Sequence, residues 1–530
     1  MKRIVSLIVI LMLLTGCGRV NSSASVNNAI DDNYRNYYEV FVYSFYDSDG
    51  DGTGDIKGVE EKLDYITELG CNGIWLMPVM PSTTYHKYDV TDYMNIDPQY
   101  GTIEDFESLM RAAHDKNIRV IVDMVINHTS SKHPWFLAAT DYLKGLSAGE
   151  EPDVSACPYV NYYHFSKEKK DNTWYAVNGT EYYYEGSFWS EMPDLNLSDK
   201  ALMDEIYDVA DFWMDKGVDG FRMDAPLHYE ENDTEFNTSV LNDLFEHCRS
   251  KNPDFYMVSE VWASEKIIED YYGSNTPSMF DFSFGQAEGD LIKTARGSEK
   301  AQSMVQTMVQ YERARETVYS DYINAPFLTN HDMNRVSNAL NGKTKDMKMA
   351  AALLLSMKVS PFIYYGEELG MLSKGTKDEN KRLPMYWSSD NTAGMCDGPR
   401  DADKDITQKC DPADKQTDDA DSLYSWYKKG LSIRNKYPEI ARGTTEVVDD
   451  ITDGHVAVVK RSYNDGDDRV IFIVYNSGKE DKELNLKSTG LDECMIADSM
   501  CVMGIEPWIK DGVLFIPAKS VLYLKGQDKK

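Results

Sequence analysis

The sequence predicts an α/β protein: a (β/α)8 TIM barrel with a subdomain inserted after strand 3 and a C-terminal antiparallel β-sandwich. Three observations predict it. From Tyr37 to Asn330 short, continuously apolar runs alternate with amphipathic helical patterns, the mark of parallel strands covered on both faces. Between Ser130 and Asn196 the rhythm stops in a long, Tyr- and Trp-rich stretch. After Arg442 the pattern turns to short β runs alone. A doubly wound open sheet is the second arrangement that the alternation allows.

The elements follow in order. Lys2 and Arg3 precede an apolar run, Ile4 to Leu14, too short to span a bilayer as a helix. It ends in Leu14-Thr15-Gly16-Cys17, which resembles a bacterial lipobox, so residues 1–16 are expected to be a lipoprotein signal peptide and Cys17 the lipidated residue. Residues 17–35 then form a polar tether, and the protein is expected to be exported and lipid-anchored to the cell membrane on its extracytoplasmic side. The barrel occupies 36–129 and 199–442, the insertion 130–198 and the β-sandwich 443–530. Val59 to Leu69 is helical by spacing, with Leu63, Ile66 and Leu69 on one face. Gly73 to Met77, Ile118 to Ile126, Val218 to Met223, Phe255 to Val258 and Ala325 to Thr329 read as strands, and Met203 to Met214 as a helix between two of them. Val456 to Val459, Val470 to Tyr475, Glu483 to Leu486, Val513 to Ile516 and Val521 to Leu524 supply the C-terminal strands.

Composition narrows the function. With 55 basic and 88 acidic residues among 530, the net charge of −33 repels a polyanion, so nucleic acid is not an expected partner. Hydrophobic residues at 42% exclude disorder as the main state. The 35 tyrosines suit flat polar ligands such as sugars, or merely fill half-buried sites. Besides Cys17 there are seven cysteines, an odd number without zinc-ligand spacing; Cys396 with Cys410, or Cys494 with Cys501, could close small loops. A monomer is expected.

Four strand-like runs end in polar residues that do not belong in a core: Asp123 followed by Asn127-His128, Arg222 and Asp224, Glu260, and His331-Asp332. In a parallel barrel the C-terminal strand ends converge on one face, where active sites are built. Carboxylates without a serine triad, a catalytic cysteine or a phosphate loop point to hydrolysis by paired acids, whose environments must push their pKa values apart. Arg222 lies on the strand face of Asp224 and favours its ionised form. Glu260, beside Trp262, is placed to keep its proton, and Asp332 to stabilise positive charge in the transition state.

The runs DMVINH, GFRMDAPLH, EVW and FLTNHD resemble the four signature regions of the α-amylase family, glycoside hydrolase family 13. MPDLN (Met192 to Asn196) is similar to its additional signature, in a form between neopullulanase-like and oligo-1,6-glucosidase-like members, and YYGEELGM and RLPMYW also resemble family stretches. The resemblance covers residues 37–525. It implies that Asp224 is the nucleophile, Glu260 the general acid/base and Asp332 the transition-state stabiliser. It groups Tyr88, Asp123, His128, Arg222, His331 and Arg335 as substrate-binding residues, with Tyr88 as a stacking platform. It implies α-glucan polysaccharides and oligosaccharides as substrates.

Asp47 to Asp55 places aspartates at alternate positions among glycines, a curved oxygen-rich loop suited to Ca²⁺. Gly58 stands where an EF-hand would carry glutamate, so this is not one. Relatives bind calcium on a similar loop, which implies Asp47, Asp49, Asp51, Asp55 and the Thr53 carbonyl as ligands. Asn127 matches a second calcium position whose partner the sequence does not place. Ala225 after the nucleophile resembles α-1,4-specific members, and Tyr85 stands where exo-acting relatives carry aspartate, which leaves the cleft open for internal attack. Leu227 replaces a frequent lysine beside the leaving group. An α-glucosidase, oligo-1,6-glucosidase, neopullulanase or transglycosylase therefore stays open beside an endo-acting α-amylase. A non-catalytic carbohydrate-binding protein is the reading from another class, and it should have lost one of the three carboxylates.

Overall fold

The computed structural model describes residues 32–526 apart from 148, 453 and 488. Its centre is a parallel sheet of eight strands: β1 (Tyr37–Val40), β2 (Gly73–Leu76), β3 (Arg119–Met124), β4 (Gly220–Met223), β5 (Tyr256–Ser259), β6 (Ser278–Asp281), β7 (Ala325–Pro326) and β8 (Phe362–Tyr364). β8 pairs in parallel with β1, and a bridge between Phe327 and Phe362 closes the ring. The barrel interior is filled by Tyr37, Trp75, Ile121, Tyr256, Val258, Phe280 and Phe362, and the Tyr37 ring stacks between those of Phe362 and Tyr256. Gly73 and Gly220 make room for this layer: a Cβ on Gly73 would fall 2.5 Å from the Tyr37 ring, and one on Gly220 only 2.2 Å from the Tyr256 carbonyl.

The helix expected over Val59 to Leu69 is two helices, Ile56–Glu61 and Leu63–Leu69. Lys62 breaks it at φ −101°, ψ 5°, outside helical geometry, yet Leu63, Ile66 and Leu69 still face the core. Gly70 ends the second helix in the left-handed conformation that glycine adopts without strain. β1, β6 and β8 are strands that the sequence pattern does not mark by themselves. SMFD is four residues long with polar ends, and FIY is three, too short for a periodicity to register.

Between β3 and β4 the insertion folds as a helix, Pro134–Gly145, and a small antiparallel sheet of Phe165–Ser166, Tyr183–Glu185 and Trp174–Ala176. Six of its aromatics are core: Phe136, Tyr162, Tyr163, Trp174, Tyr182 and Tyr184 are buried, with Phe136 edge-on to Tyr163 and Tyr184. Phe188 and Trp189 are exposed instead and lean over the barrel mouth. The C-terminal unit packs a five-stranded antiparallel sheet against a three-stranded one around Val458, Val474, Leu514, Ile516, Leu522 and Leu524. Lys519 ties it to the barrel, its Nζ 2.7 Å from Asp346 Oδ1.

The seven described cysteines are free thiols. Cys494 and Cys501 open and close one strand, Cys494–Cys501. At roughly 3.3 Å per residue they stand too far apart for the pairing their sequence separation allowed. The Cys396–Cys410 pairing is likewise not formed. The signal peptide, Cys17 and most of the tether lie outside the described residues. Among those described, no helix is long and apolar enough to cross a membrane.

Candidate active site

The C-terminal strand ends deliver the expected residues to one face. Asp123 is the fifth residue of β3, Arg222 the third of β4, Asp224 follows β4 and Glu260 follows β5. Ala225, at φ 47°, takes the left-handed turn that carries the chain from β4 into the short turn Pro226–His228, so Asp224 is left at the rim. Strain of this kind is commonly stored at functional sites.

Arg222 organises the centre. Its buried guanidinium donates from Nη1 to Asp123 Oδ1 (2.7 Å) and to Asp224 Oδ1 (2.6 Å), and Nη2 stands 2.8 Å from Glu260 Oε2. The Nη2 contact lacks hydrogen-bond alignment, so Glu260 receives charge proximity without a directed proton. Burial pushes the Glu260 carboxyl up to about 8, with Arg222 opposing and Asp224 adding to the rise. That direction favours the protonated form of Glu260 near neutral pH, and its source is burial. Trp262 itself is exposed, stacked 5.0 Å from Phe282, and lines the cleft.

Asp332 stands opposite. Burial works against its charge, but the His331 imidazole, 2.9 Å away at Nε2, and Arg382, donating from Nη2 at 2.8 Å, hold its carboxyl well below the usual range. Tyr88 lies with its ring parallel to His331 at 5.7 Å and donates its hydroxyl to Asp123 Oδ2 (3.2 Å). His128 is buried, its Nε2 has no hydrogen-bond partner, and burial lowers its pKa, so it meets a ligand as a neutral imidazole.

Arg335 is not in this group. It is buried behind β8, donating Nη1 to the Tyr365 carbonyl (2.5 Å) with its guanidinium over the Tyr364 and Tyr365 rings. The arginine at the cleft is Arg382, from the loop after β8, and 50 residues separate it from Asp332 in the chain. It opens RLPMYW, a motif singled out in the sequence without a role for its first residue. Asp194 of MPDLN was also unassigned: its Oδ1 lies 3.3 Å from Asn127 Nδ2, and a backbone bridge between His128 and Asp194 fastens the insertion to the end of β3.

The cleft of about 410 Å³ runs between His86 and Tyr88 on one side and Phe188 and Trp262 on the other, over Asp224, Glu260 and Asp332. Through His86 and Asp378 it continues into a second hollow of about 510 Å³ bordered by Tyr85 and Trp189. Tyr85 is held by Arg382, whose Nη1 donates to its hydroxyl at 3.1 Å.

In the acidic loop Asp47, Asp49 and Asp55 can each bring one oxygen within 4.8 Å of the others, an anionic oxygen set that fits a hard cation such as Ca²⁺. Asp51 falls outside that three-carboxylate group and accepts the Thr53 amide at 2.7 Å. Asp397, far along the chain, closes over the loop, its amide donating to the Gly52 carbonyl at 2.7 Å.

Comparison with known proteins agrees with this geometry. Residues 39–443 match the family model described as alpha amylase, catalytic domain. The chain belongs to the α-amylase family and is a glycosidase of that family. It is 38% identical to Alpha-amylase 3 of Dictyoglomus thermophilum over 86% of this chain and 87% of that one. The solved structure of Eubacterium rectale Amy13B superposes with a TM-score of 0.90 at 46% identity, covering 94% of this chain and 97% of that one. Among more distant relatives, Probable oligo-1,6-glucosidase 3 of Bacillus subtilis is 28% identical over 78% of this chain and 85% of that one.

Proposed function

We propose that the chain is an endo-acting α-amylase that hydrolyses internal α-1,4 bonds of starch-like α-glucans with retention of configuration. The observation that carries the reading is Asp224 and Glu260 on one guanidinium, with Glu260 held protonated, at the foot of a cleft that runs past the reaction centre. Asp224 attacks the anomeric carbon as Glu260 gives its proton to the departing glycosidic oxygen. Glu260, now a carboxylate, takes a proton from water, and the resulting nucleophile releases the sugar from Asp224 and restores both groups. Asp332, kept ionised by His331 and Arg382, offsets positive charge on the ring in both steps.

The hollow beyond His86 and Asp378 supports internal attack, because sugar units have room on that side of the scissile bond. The test is a time course of products from starch and, separately, from maltotriose and panose. Early mixed oligosaccharides from starch are expected; glucose released first from the short sugars, with starch nearly intact, would move the assignment to an α-glucosidase. A transglycosylase is the second reading, favoured by Leu227 and Trp262, which give the leaving-group side apolar surface that a sugar acceptor covers better than water does.

Calcium bound by Asp47, Asp49 and Asp55 belongs to the same reading; it would brace the loop and so the region around it. So does a lipid anchor at Cys17, which would hold the enzyme outside the cell beside polymers that cannot pass a membrane. Cys17→Ala should release the protein from the membrane fraction; retention there would remove the anchor from the account.

A further inference from the structure

Glu39 has no place in the proposed steps, yet it is buried under the reaction centre on β1, two residues into a strand that otherwise faces core. Its Oε1 lies 2.6 Å from His331 Nδ1, and both side chains are essentially inaccessible to water. The other imidazole nitrogen, Nε2, stands 2.9 Å from Asp332 Oδ2 and 2.8 Å from the Tyr88 hydroxyl. The Tyr88 hydroxyl also reaches Asp123 Oδ2 at 3.2 Å, so it has an acceptor for its own proton and a lone pair to offer a protonated Nε2. With Glu39 ionised the imidazole faces an acceptor at each nitrogen, an arrangement that a doubly protonated ring satisfies.

We propose that Glu39 is a positioning residue that acts through His331: its buried carboxylate keeps the imidazole charged and fixed, so that Nε2 holds Asp332 ionised and aimed at the cleft. This rests on the role given to Asp332 above. A ring in water would have no reason to keep both protons near neutral pH. Here burial opposes the charge, but Asp332 and Glu39 outweigh it and carry the His331 pKa up to about 9. Burial raises the Glu39 carboxyl, and His331 opposes that rise.

The other groups facing the array leave the assignment in place. Arg222 from β4 spends its Nη1 protons on Asp123 and Asp224, and Glu260 from β5 contacts Nη2 of the same guanidinium. Arg382 reaches Asp332 Oδ1, the oxygen His331 does not take, and its Nε donates to the His331 carbonyl. Trp75 packs edge-on to the imidazole at 5.5 Å without taking either ring proton. On the β8 side, Tyr364 sits beside Glu39 in register but gives its hydroxyl proton to the Lys381 carbonyl, and Glu367 beyond it accepts from Tyr427. Glu39 is thus the charge that balances the imidazolium on its Nδ1 side.

The test is an NMR titration of the histidine rings in substrate-free protein, with His331 assigned by loss of its signal in His331→Asn, set beside steady-state kinetics of Glu39→Gln and Glu39→Asp. In the parent, His331 should remain doubly protonated through neutral pH. In Glu39→Gln its midpoint should fall by roughly one to two pH units, the effect of losing an opposite charge at this distance. At neutral pH kcat should fall roughly tenfold or more with KM little changed, and Glu39→Asp should restore part of both. A neutral His331 ring in the parent would overturn the proposal without any variant having to fold. So would a Glu39→Gln midpoint at the parent value, or a lowered midpoint with kcat intact. Because the titration needs no substrate, a parent chain that fails to hydrolyse starch would sink the functional reading and leave the His331 result to be judged by itself.

Discussion

Arg222 Nη2 stands 2.8 Å from Glu260 Oε2, yet it forms no aligned hydrogen bond there, and burial carries the Glu260 carboxyl up to about 8. One arginine thus treats two carboxyl groups differently: Asp224 receives a directed N–H at 2.6 Å, and Glu260 does not. The proposed division of labour between nucleophile and acid rests on that difference.

It sets the direction of the pH dependence. Glu260 must be protonated to assist departure of the leaving group, and its pKa is raised, so the active form is present below about pH 8 and lost above it. kcat/KM should fall about tenfold per pH unit on the alkaline side, with its bend near 8. Glu260→Gln should lower the rate and flatten that limb. A parent profile flat to pH 10 would contradict the assignment.

Asp224→Asn keeps the shape and removes the nucleophile. Hydrolysis of starch should drop at least about 1,000-fold while the folded protein still retains the glucan on affinity electrophoresis. If the variant keeps a tenth of the parent rate, another residue attacks the sugar.

Arg382 and Arg335 should separate cleanly. Arg382→Met strips one of the two cations holding Asp332, and kcat/KM is expected to fall on the order of 100-fold with little change in melting temperature. Arg335→Met leaves the Tyr365 carbonyl without its donor and two rings without their cation, so it should cost about 2–4 kcal/mol of stability. Arg335→Met protein that remains folded should keep the parent KM. The opposite pattern would return Arg335 to the substrate.

Chelation tests the acidic loop. If Asp47, Asp49 and Asp55 hold calcium, removing it forfeits about 2.7 kcal/mol when free ion stands at 100 times its Kd, and the melting temperature drops by several degrees. Asp47→Ala should melt at the lower temperature with or without chelator. Asp51→Ala should lose less than Asp47→Ala, because Asp51 falls outside the three-carboxylate group.

Much of this molecule was legible in the sequence because parallel barrels write their chemistry at the ends of strands. Asp123, Arg222, Asp224, Glu260 and His331 each interrupt or follow a short apolar run, and such a break is visible without coordinates. Glu39 was not, since EV within YYEV reads as one polar residue in a strand and its partner is 292 residues away. Arg382 was missed for a related reason: it belongs to a loop, where no periodicity marks which side chain turns inward. Arg335 stands three residues after Asp332, but the chain turns there into the short helix Val336–Ala339 and carries it behind β8, a turn that no sequence pattern marks. The aromatic insertion divides, with Tyr162, Tyr163, Tyr182 and Tyr184 forming a core and Phe188 and Trp189 at the barrel mouth.

Asp224 and Glu260, sharing Arg222, are proposed to carry out a double displacement. The most direct measurement is the ¹H NMR anomeric signal of the first reducing ends released from a maltooligosaccharide, recorded faster than mutarotation. The α-anomer should appear first and the β-anomer grow in later. A β-anomer appearing first would mean single displacement by water and would contradict it.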